Sequence, residues 1–315
     1  MTGKHARRRP KWLYGLLGVI GAFVLVGALF LSPAGAAPTS AAVTVSQDAC
    51  HTTNNNAPSG NCGAFHQVYR DNFNGYTVPV GSFTGCAGDG NFHCAGLKAK
   101  YRHTYDTLGA YPTGWYDTAN PKNHSNGNSR TFGGEYRADD TTWIAPASSA
   151  DADGQLHVRM YRPASGDNHV SAPVPLQCMG IRYGKFTERT HISARTNGFK
   201  MAHLRYTPNE VDYPEAGGNF ASDPVSEFTH GFSESGADAA GNAAWTGWHN
   251  YSTEIVPGHV RFYFDGKLFK TVNADFPDAA DWVLQNESSL SGGYAAKGAS
   301  VQIDSSWLTC YKYQP

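Results

Sequence analysis

From about Phe65 to the C-terminus, apolar and polar residues exchange places at every second position over short stretches, and Gly, Pro, Asn and Asp separate the stretches. Successive side chains of a strand point to opposite faces, so this period predicts half-buried β-strands. Gln155 to Tyr161 sets Leu156, Val158 and Met160 against His157 and Arg159. Val260, Phe262 and Phe264 alternate with Arg261 and Tyr263; Asp265-Gly266 then supplies a two-residue turn and Leu268 to Val272 returns, which predicts a hairpin. Val301 and Ile303 open a last strand that runs through Trp307 towards Tyr313. No internal repeat and no second linker interrupts the pattern, and one domain of about 250 residues is within range for an all-β sandwich. Two packed antiparallel sheets are the expected architecture. The stretch Tyr183 to Ser193 is polar on both faces: Lys185, Thr187, Arg189 and His191 on one, Glu188 and Thr190 on the other. A strand wholly inside a sandwich core would not read so, and one of its faces is expected to line an open, wet groove.

The N-terminus reads differently. Lys4, His5, Arg7, Arg8, Arg9 and Lys11 precede an uninterrupted apolar run from Trp12 to Leu31, and Ala34-Gly35-Ala36 follows. A basic region, an apolar run and a small-residue site make a secretory signal, so residues 1–36 are expected to be removed. The run also reaches the roughly 20 residues of a membrane span, which leaves an uncleaved anchor open. In both cases the body of the protein is exported, and a secreted, extracellular location is expected. Residues 37–64, rich in Ala, Ser, Thr and Asn, read as a flexible lead, and residues 65–315 as the folded domain.

All six cysteines follow the export segment. An even number in an oxidising compartment implies disulfides. Local spacing suggests Cys50–Cys62, Cys86–Cys94 and Cys178–Cys310. A zinc site is the competing use, and the absence of any C-x-x-C pair from the sequence speaks against it.

The formal net charge is −1, and no basic stripe exists outside the signal segment, which argues against a nucleic-acid partner. The chain is 16% charged and 13% aromatic, with 35 glycines. That is the balance of a turn-rich β protein with ring surfaces to spare, shared by carbohydrate binders and ordinary sandwiches.

Against this background one segment stands out: Glu210-Val211-Asp212-Tyr213-Pro214-Glu215. Glu210 and Asp212 share a strand face, and Glu215 should point the other way. A β-bulge at Pro214, which has no N–H for a ladder, would return Glu215 to the same side. Three carboxylates would then crowd one surface, and like charges that close resist ionising together. One ionised and one protonated carboxylate is what glycoside hydrolysis requires. The plain alternative is a solvated acidic face. His230, on the strand that should follow, can reach the acids or serve as a hydrogen-bonded sheet histidine. Gln285, in Trp282-Val283-Leu284-Gln285, either faces the same cleft or is an ordinary strand amide.

Three segments together resemble glycoside hydrolase family 16, the laminarinase-like enzymes with a concanavalin A-like jelly-roll fold. They are Tyr183-Gly184-Lys185-Phe186-Thr187-Glu188-Arg189, the Glu210–Glu215 motif, and Trp248-His249-Asn250 with Pro257-Gly258 and Phe262-Tyr263-Phe264-Asp265-Gly266-Lys267. The resemblance runs from about Phe65 to the C-terminus. It implies an all-β jelly-roll sandwich with an open concave cleft and a retaining mechanism, with Glu210 as nucleophile, Glu215 as acid and then base, and Asp212 between them. It also implies Trp115, within Tyr111-Pro112-Thr113-Gly114-Trp115, as a ring at the cleft edge, for which core packing is the alternative. His203 and Tyr206 stand where relatives carry tryptophan before the motif, and are expected to contact substrate. Asp304 matches the side-chain ligand of a structural calcium; no other cofactor is expected. A monomer acting on a polysaccharide, β-1,3- or mixed-linked glucan first, is the implied partner relationship, with membrane contact only if the N-terminal segment stays uncleaved. Two other readings stay open: a sugar-binding jelly roll without turnover, and a polysaccharide lyase using Tyr206, His203 and Arg205.

Overall fold

A computed structural model describes Cys50 and residues 56–123, 132–146, 153–206 and 209–315. The signal segment expected at 1–36 and most of the lead lie outside the described residues. Seventeen strands are described. The N-terminal part contributes β1 (Phe65–Asp71), β2 (Leu108–Ala110), β3 (Gly134–Tyr136), β4 (Thr142–Pro146), β5 (Gly154–Tyr161), β6 (Asn168–Val170) and β7 (Pro173–Pro175). The middle contributes β8 (Gly184–Ile192), β9 (Phe199–Tyr206), β10 (Val211–Glu215), β11 (Val225–Thr229) and β12 (Ala237–Ala240). The rest are β13 (His249–Val256), β14 (His259–Phe264), β15 (Lys267–Val272), β16 (Asp281–Ser288) and β17 (Ser300–Tyr313).

Two sheets dominate and form a jelly-roll sandwich. The larger runs β15-β14-β13-β8-β17-β5-β6-β3, with β1 pairing β17 and β4 pairing β5; the smaller runs β12-β11-β10-β9-β16. Apart from the parallel β3–β6 contact, the pairings are antiparallel. Phe186 of the large sheet meets Trp282 of the small one, with ring centroids 5.7 Å apart. They belong to one core cluster with Leu156, Val158, Ile192, Val211, Leu284 and Ile303. The alternating residues of the sequence pattern supply this core, as burial of one face per strand requires.

The hairpin read at Asp265-Gly266 joins β14 to β15. Asp265 and Gly266 have φ of +47° and +74°. Positive φ at both central residues is the geometry whose twist matches the flanking strands, and Gly266 adopts it without a Cβ clash. All three disulfides pair as the spacing suggests: Cys50–Cys62, Cys86–Cys94 and Cys178–Cys310. The last ties β17 to the turn before β8.

One strand is placed differently from the sequence reading. β8 lies in the large sheet, away from the cleft sheet. Its Glu188 points between the sheets, where the side chain of His203 comes within 2.7 Å. Arg189 and His191 face outward from the large sheet instead. The polar pattern of β8 records a buried hydrogen-bonded contact with His203 on one side and the outer sheet surface on the other, not a wet groove.

Candidate active site

The acidic motif folds as the pattern predicts. In both ladders of β10 the register shifts between Asp212 and Glu215: Asp212 stands opposite Leu204 and Phe228, while Glu215 stands opposite Ala202 and Ser226. The extra residue falls at Tyr213-Pro214, whose peptide bond is cis. Tyr213 turns inward and its hydroxyl donates to the Tyr263 carbonyl oxygen at 3.1 Å. The bulge therefore puts an aromatic in the core and both flanking acids on the outer face of the small sheet.

Glu210 sits one residue before β10, where its carbonyl oxygen accepts from His230 N at 2.9 Å. That bond brings His230 beside the acids. His230 Nε2 lies 2.8 Å from Asp212 Oδ2 and 3.8 Å from Glu210 Oε1. Asp212 is buried, and burial, followed by the charges of Glu215 and Glu210, pushes its carboxyl well above the usual range. Burial also pushes Glu210 up, against the opposing pull of His230. Three acids share this space, and Asp212 is the most deeply buried of them.

Lys200 is the residue that sequence reasoning missed. It projects from β9 onto the same face, and its Nζ lies 3.0 Å from Glu215 Oε1 with both side chains buried. Glu287 of β16 stands directly opposite Lys200. Burial works against the ammonium, but Glu215 and Glu287 outweigh it and raise the Lys200 pKa. The signal was present in the sequence: Lys200, Ala202, Leu204 and Tyr206 alternate on one face, and a cation among them faces whatever β10 presents.

Glu287 in turn anchors the wall of the cleft. Its Oε1 accepts from the Tyr136 hydroxyl at 2.6 Å and from Thr118 Oγ1 at 2.8 Å. Asp117 accepts from Ser288 N at 2.8 Å, so two buried carboxylates fasten the segment after Trp115 to β16. Burial raises the pKa of both. Trp115 is held at the rim, 42% exposed, and Tyr206 is 47% exposed at the end of β9. Both line one cavity of about 850 Å³ together with Gln285, Glu210, Asp281, Tyr116, Lys122 and Asn123. Gly88, Gly90 and Phe92, from the loop closed by Cys86–Cys94, complete its end. On the other side of β10, Phe228 lies roughly parallel to His230, at 23° and 6.4 Å between centroids.

Thus the structure sets Trp115, Tyr206 and Gln285 in one cavity with Glu210, and His230 beside Glu210 and Asp212, and it does not bring His203. His203 points between the sheets, 1% exposed, with Nδ1 2.7 Å from Glu188 Oε1. The reason is parity: His203 is one position out of step with Lys200, Ala202 and Leu204, so it faces the core. With it falls the tyrosine–histidine pair that a lyase reading needs.

Asp304 is also corrected. Its Oδ1 accepts from His157 Nδ1 at 2.6 Å and from Gln302 Nε2 at 2.7 Å, and its Oδ2 lies 3.2 Å from His191 Nε2. Burial opposes the charged form, but these hydrogen bonds prevail and hold the carboxyl down at about 2. Both oxygens are engaged by nitrogen donors, whereas calcium takes a shell of six to eight oxygens, so this site does not fit the ion. Glu210, Asp212 and His230 are the one set of three such side chains, among the described residues, with ligand atoms within 4.8 Å of one another. There the imidazole is already hydrogen-bonded to Asp212 and the Lys200 ammonium stands beside the acids, so the set reads as a hydrogen-bonded triad rather than a metal centre.

No protein-family model and no curated protein matches the sequence. Solved structures do match the fold. A β-1,3-glucanase from Mycobacterium marinum is 18% identical, with 78% of this chain and 98% of that chain covered and a TM-score of 0.52. SCLam, a non-specific endo-β-1,3(4)-glucanase from family GH16, is 13% identical over 86% of this chain and 97% of its own, at 0.54. A Mycobacterium tuberculosis protein described as an immunostimulatory antigen and pseudo β-1,3-glucanase is 16% identical over 78% and 98%, at 0.52. The bulged strand that carries Asp212 and Glu215, with Glu210 just before it, is therefore set in the jelly-roll fold of solved β-glucanases, a family 16 glycoside hydrolase among them.

Proposed function

We propose that the protein is a secreted retaining glycoside hydrolase that cleaves a β-linked polysaccharide, a β-1,3- or mixed-linked glucan first. The observation that carries the reading is the bulge in β10, which turns Asp212 and Glu215 to one face beside Glu210. In this reading the Glu210 carboxylate attacks the anomeric carbon and forms a glycosyl-enzyme ester. Glu215 gives its proton to the departing glycosidic oxygen. It then takes a proton from water, and the resulting attack releases the sugar and restores Glu210. Asp212, pushed up by burial and then by the charges of Glu215 and Glu210, stands between the two glutamates and is hydrogen-bonded to His230. Trp115 and Tyr206 offer ring faces, and Gln285 offers an amide, to successive sugar units along the cavity. Glucanase neighbours in the same fold support the substrate class, and three disulfides agree with an exported protein.

One observation favours a second reading, a sugar-binding cleft without turnover. The Lys200 ammonium sits on Glu215, the residue that must deliver a proton. Reducing-sugar release from β-1,3-, mixed-linked, galactan and uronate polysaccharides separates the two. Release on one substrate, lost about 10²–10⁴-fold in Glu215→Gln and abolished in Glu210→Gln, supports hydrolysis. Binding with no release by the wild type supports the second reading.

A further inference from the structure

On the face of the sandwich opposite the acids, five side chains form one row across five neighbouring strands. Trp143 of β4 is paired with His157 of β5, His157 with Asp304 of β17, and Asp304 with His191 of β8. Trp248, just before β13, closes the row with its ring 4.2 Å from that of His191. The flanking residues Ile144, Leu156, Val158, Ile192 and Ile303 are core, so the row itself points outward. Four strand spacings separate its ends, roughly 19 Å.

We propose that this row is a second carbohydrate site, a platform for one chain of a neutral polysaccharide. Each half-buried indole is backed by an imidazole. Trp143 lies on His157 at 18° and 4.9 Å, and Trp248 is tilted on His191 with the Arg189 guanidinium 5.5 Å from its ring. Asp304 fixes both imidazoles from the centre. The indoles are thus held in place before any ligand arrives, which lowers the ordering cost of binding. Flat aromatic faces suit the C–H faces of pyranose rings, and Gln302, Arg189 and His191 between them suit hydroxyls. The central carboxylate is taken up by His157, Gln302 and His191, so it offers no free charge to an acidic or a basic polymer. A protein partner would call for a wider apolar patch than two separated indoles. The platform lies outside the cleft and does not depend on turnover.

The test uses the full exported chain carrying Glu210→Gln, which stops digestion under the hydrolase reading. Native-gel retardation is measured in soluble β-1,3-glucan, mixed-linked β-glucan and β-1,4-galactan. The Trp143→Ala/Trp248→Ala double substitution is expected to weaken retardation by one of these at least tenfold. Unchanged retardation of the folded double variant, or no retardation of the parent in any of the three, overturns the proposal. A second measurement needs no substitution at the platform: oxidation of tryptophan by N-bromosuccinimide, located by peptide mass spectrometry. Saturating polysaccharide is expected to slow oxidation at Trp143 and Trp248. Protection confined to Trp115 overturns the proposal while leaving the cleft reading standing.

Discussion

Lys200 Nζ lies 3.0 Å from Glu215 Oε1, and neither side chain is more than 8% exposed. A buried charge pair of this kind is costly to break from one side, because the remaining carboxylate keeps its desolvation penalty. Lys200→Met is expected to lower stability by about 3–5 kcal/mol, read by denaturant unfolding. The same ammonium opposes the upward push on Glu210 and Asp212. Its removal raises both further. A nucleophile must be ionised, so the acidic limb of kcat/KM, which reports the free protein's nucleophile, should move to higher pH in Lys200→Met. Lys200→Arg keeps the charge and should keep the limb. An acidic limb that stays in place in the methionine variant would show that Lys200 does not act on the triad.

Trp115 and Gly88 give a test of the cleft wall. A Cβ on Gly88 would come within 2.8 Å of the Trp115 ring and 3.1 Å of Pro112. The glycine is needed there because the disulfide-closed loop runs against the indole. Trp115→Ala is expected to raise KM for a polysaccharide several-fold with little change in kcat, as loss of uniform binding does. Gly88→Val should have the same sign, since it displaces the ring without removing it. Thermal unfolding should move little in Trp115→Ala, because the side chain is 42% exposed. A fall in kcat with KM unchanged would place Trp115 at the reacting bond instead.

The residues that the sequence placed well are those governed by a local rule. The two-residue period foretold β5, β14, β15 and β17, and Pro214 foretold the bulge. Asp212, Glu215, Tyr206 and Gln285 share the outer face of the small sheet, and Trp115, Tyr206, Gln285 and Glu210 line one cavity on that side. What could not be read is which sheet a strand joins. The polar faces of β8 look like a groove lining until β9 is laid against them and His203 is seen to reach Glu188. Lys200–Glu215 and His157–Asp304–His191 are likewise products of register between strands far apart in the chain. A single sequence fixes the face of a residue more easily than its partner across the ladder.

His203 and Glu188 make that distinction measurable. Both side chains are 1% exposed, and the pair bridges the two sheets. His203→Ala leaves the Glu188 carboxylate buried without its imidazole, although Thr190 Oγ1 still donates to it. Stability is expected to fall by about 3–5 kcal/mol. KM for the polysaccharide should be unchanged in the folded fraction, since His203 faces the core. A rise in KM without loss of stability would return His203 to the cleft.

Asp304 links the outer row to stability in acid. Its native carboxyl is held at about 2, below the ordinary aspartate value. A group depressed by folding contributes stability above its unfolded pKa and loses it as pH falls through the folded one. The contribution should therefore be complete above about pH 4 and gone near pH 2, and amount to about 2 kcal/mol. Asp304→Asn removes the titrating group together with its charge-assisted bonds from His157 and His191. The stability difference between wild type and variant, measured by urea unfolding, should widen from pH 2 to about pH 4 and then level off. A difference that stays constant across that window would mean that the two imidazoles gain nothing from the charge on Asp304, and that the row is held by packing of the indoles alone.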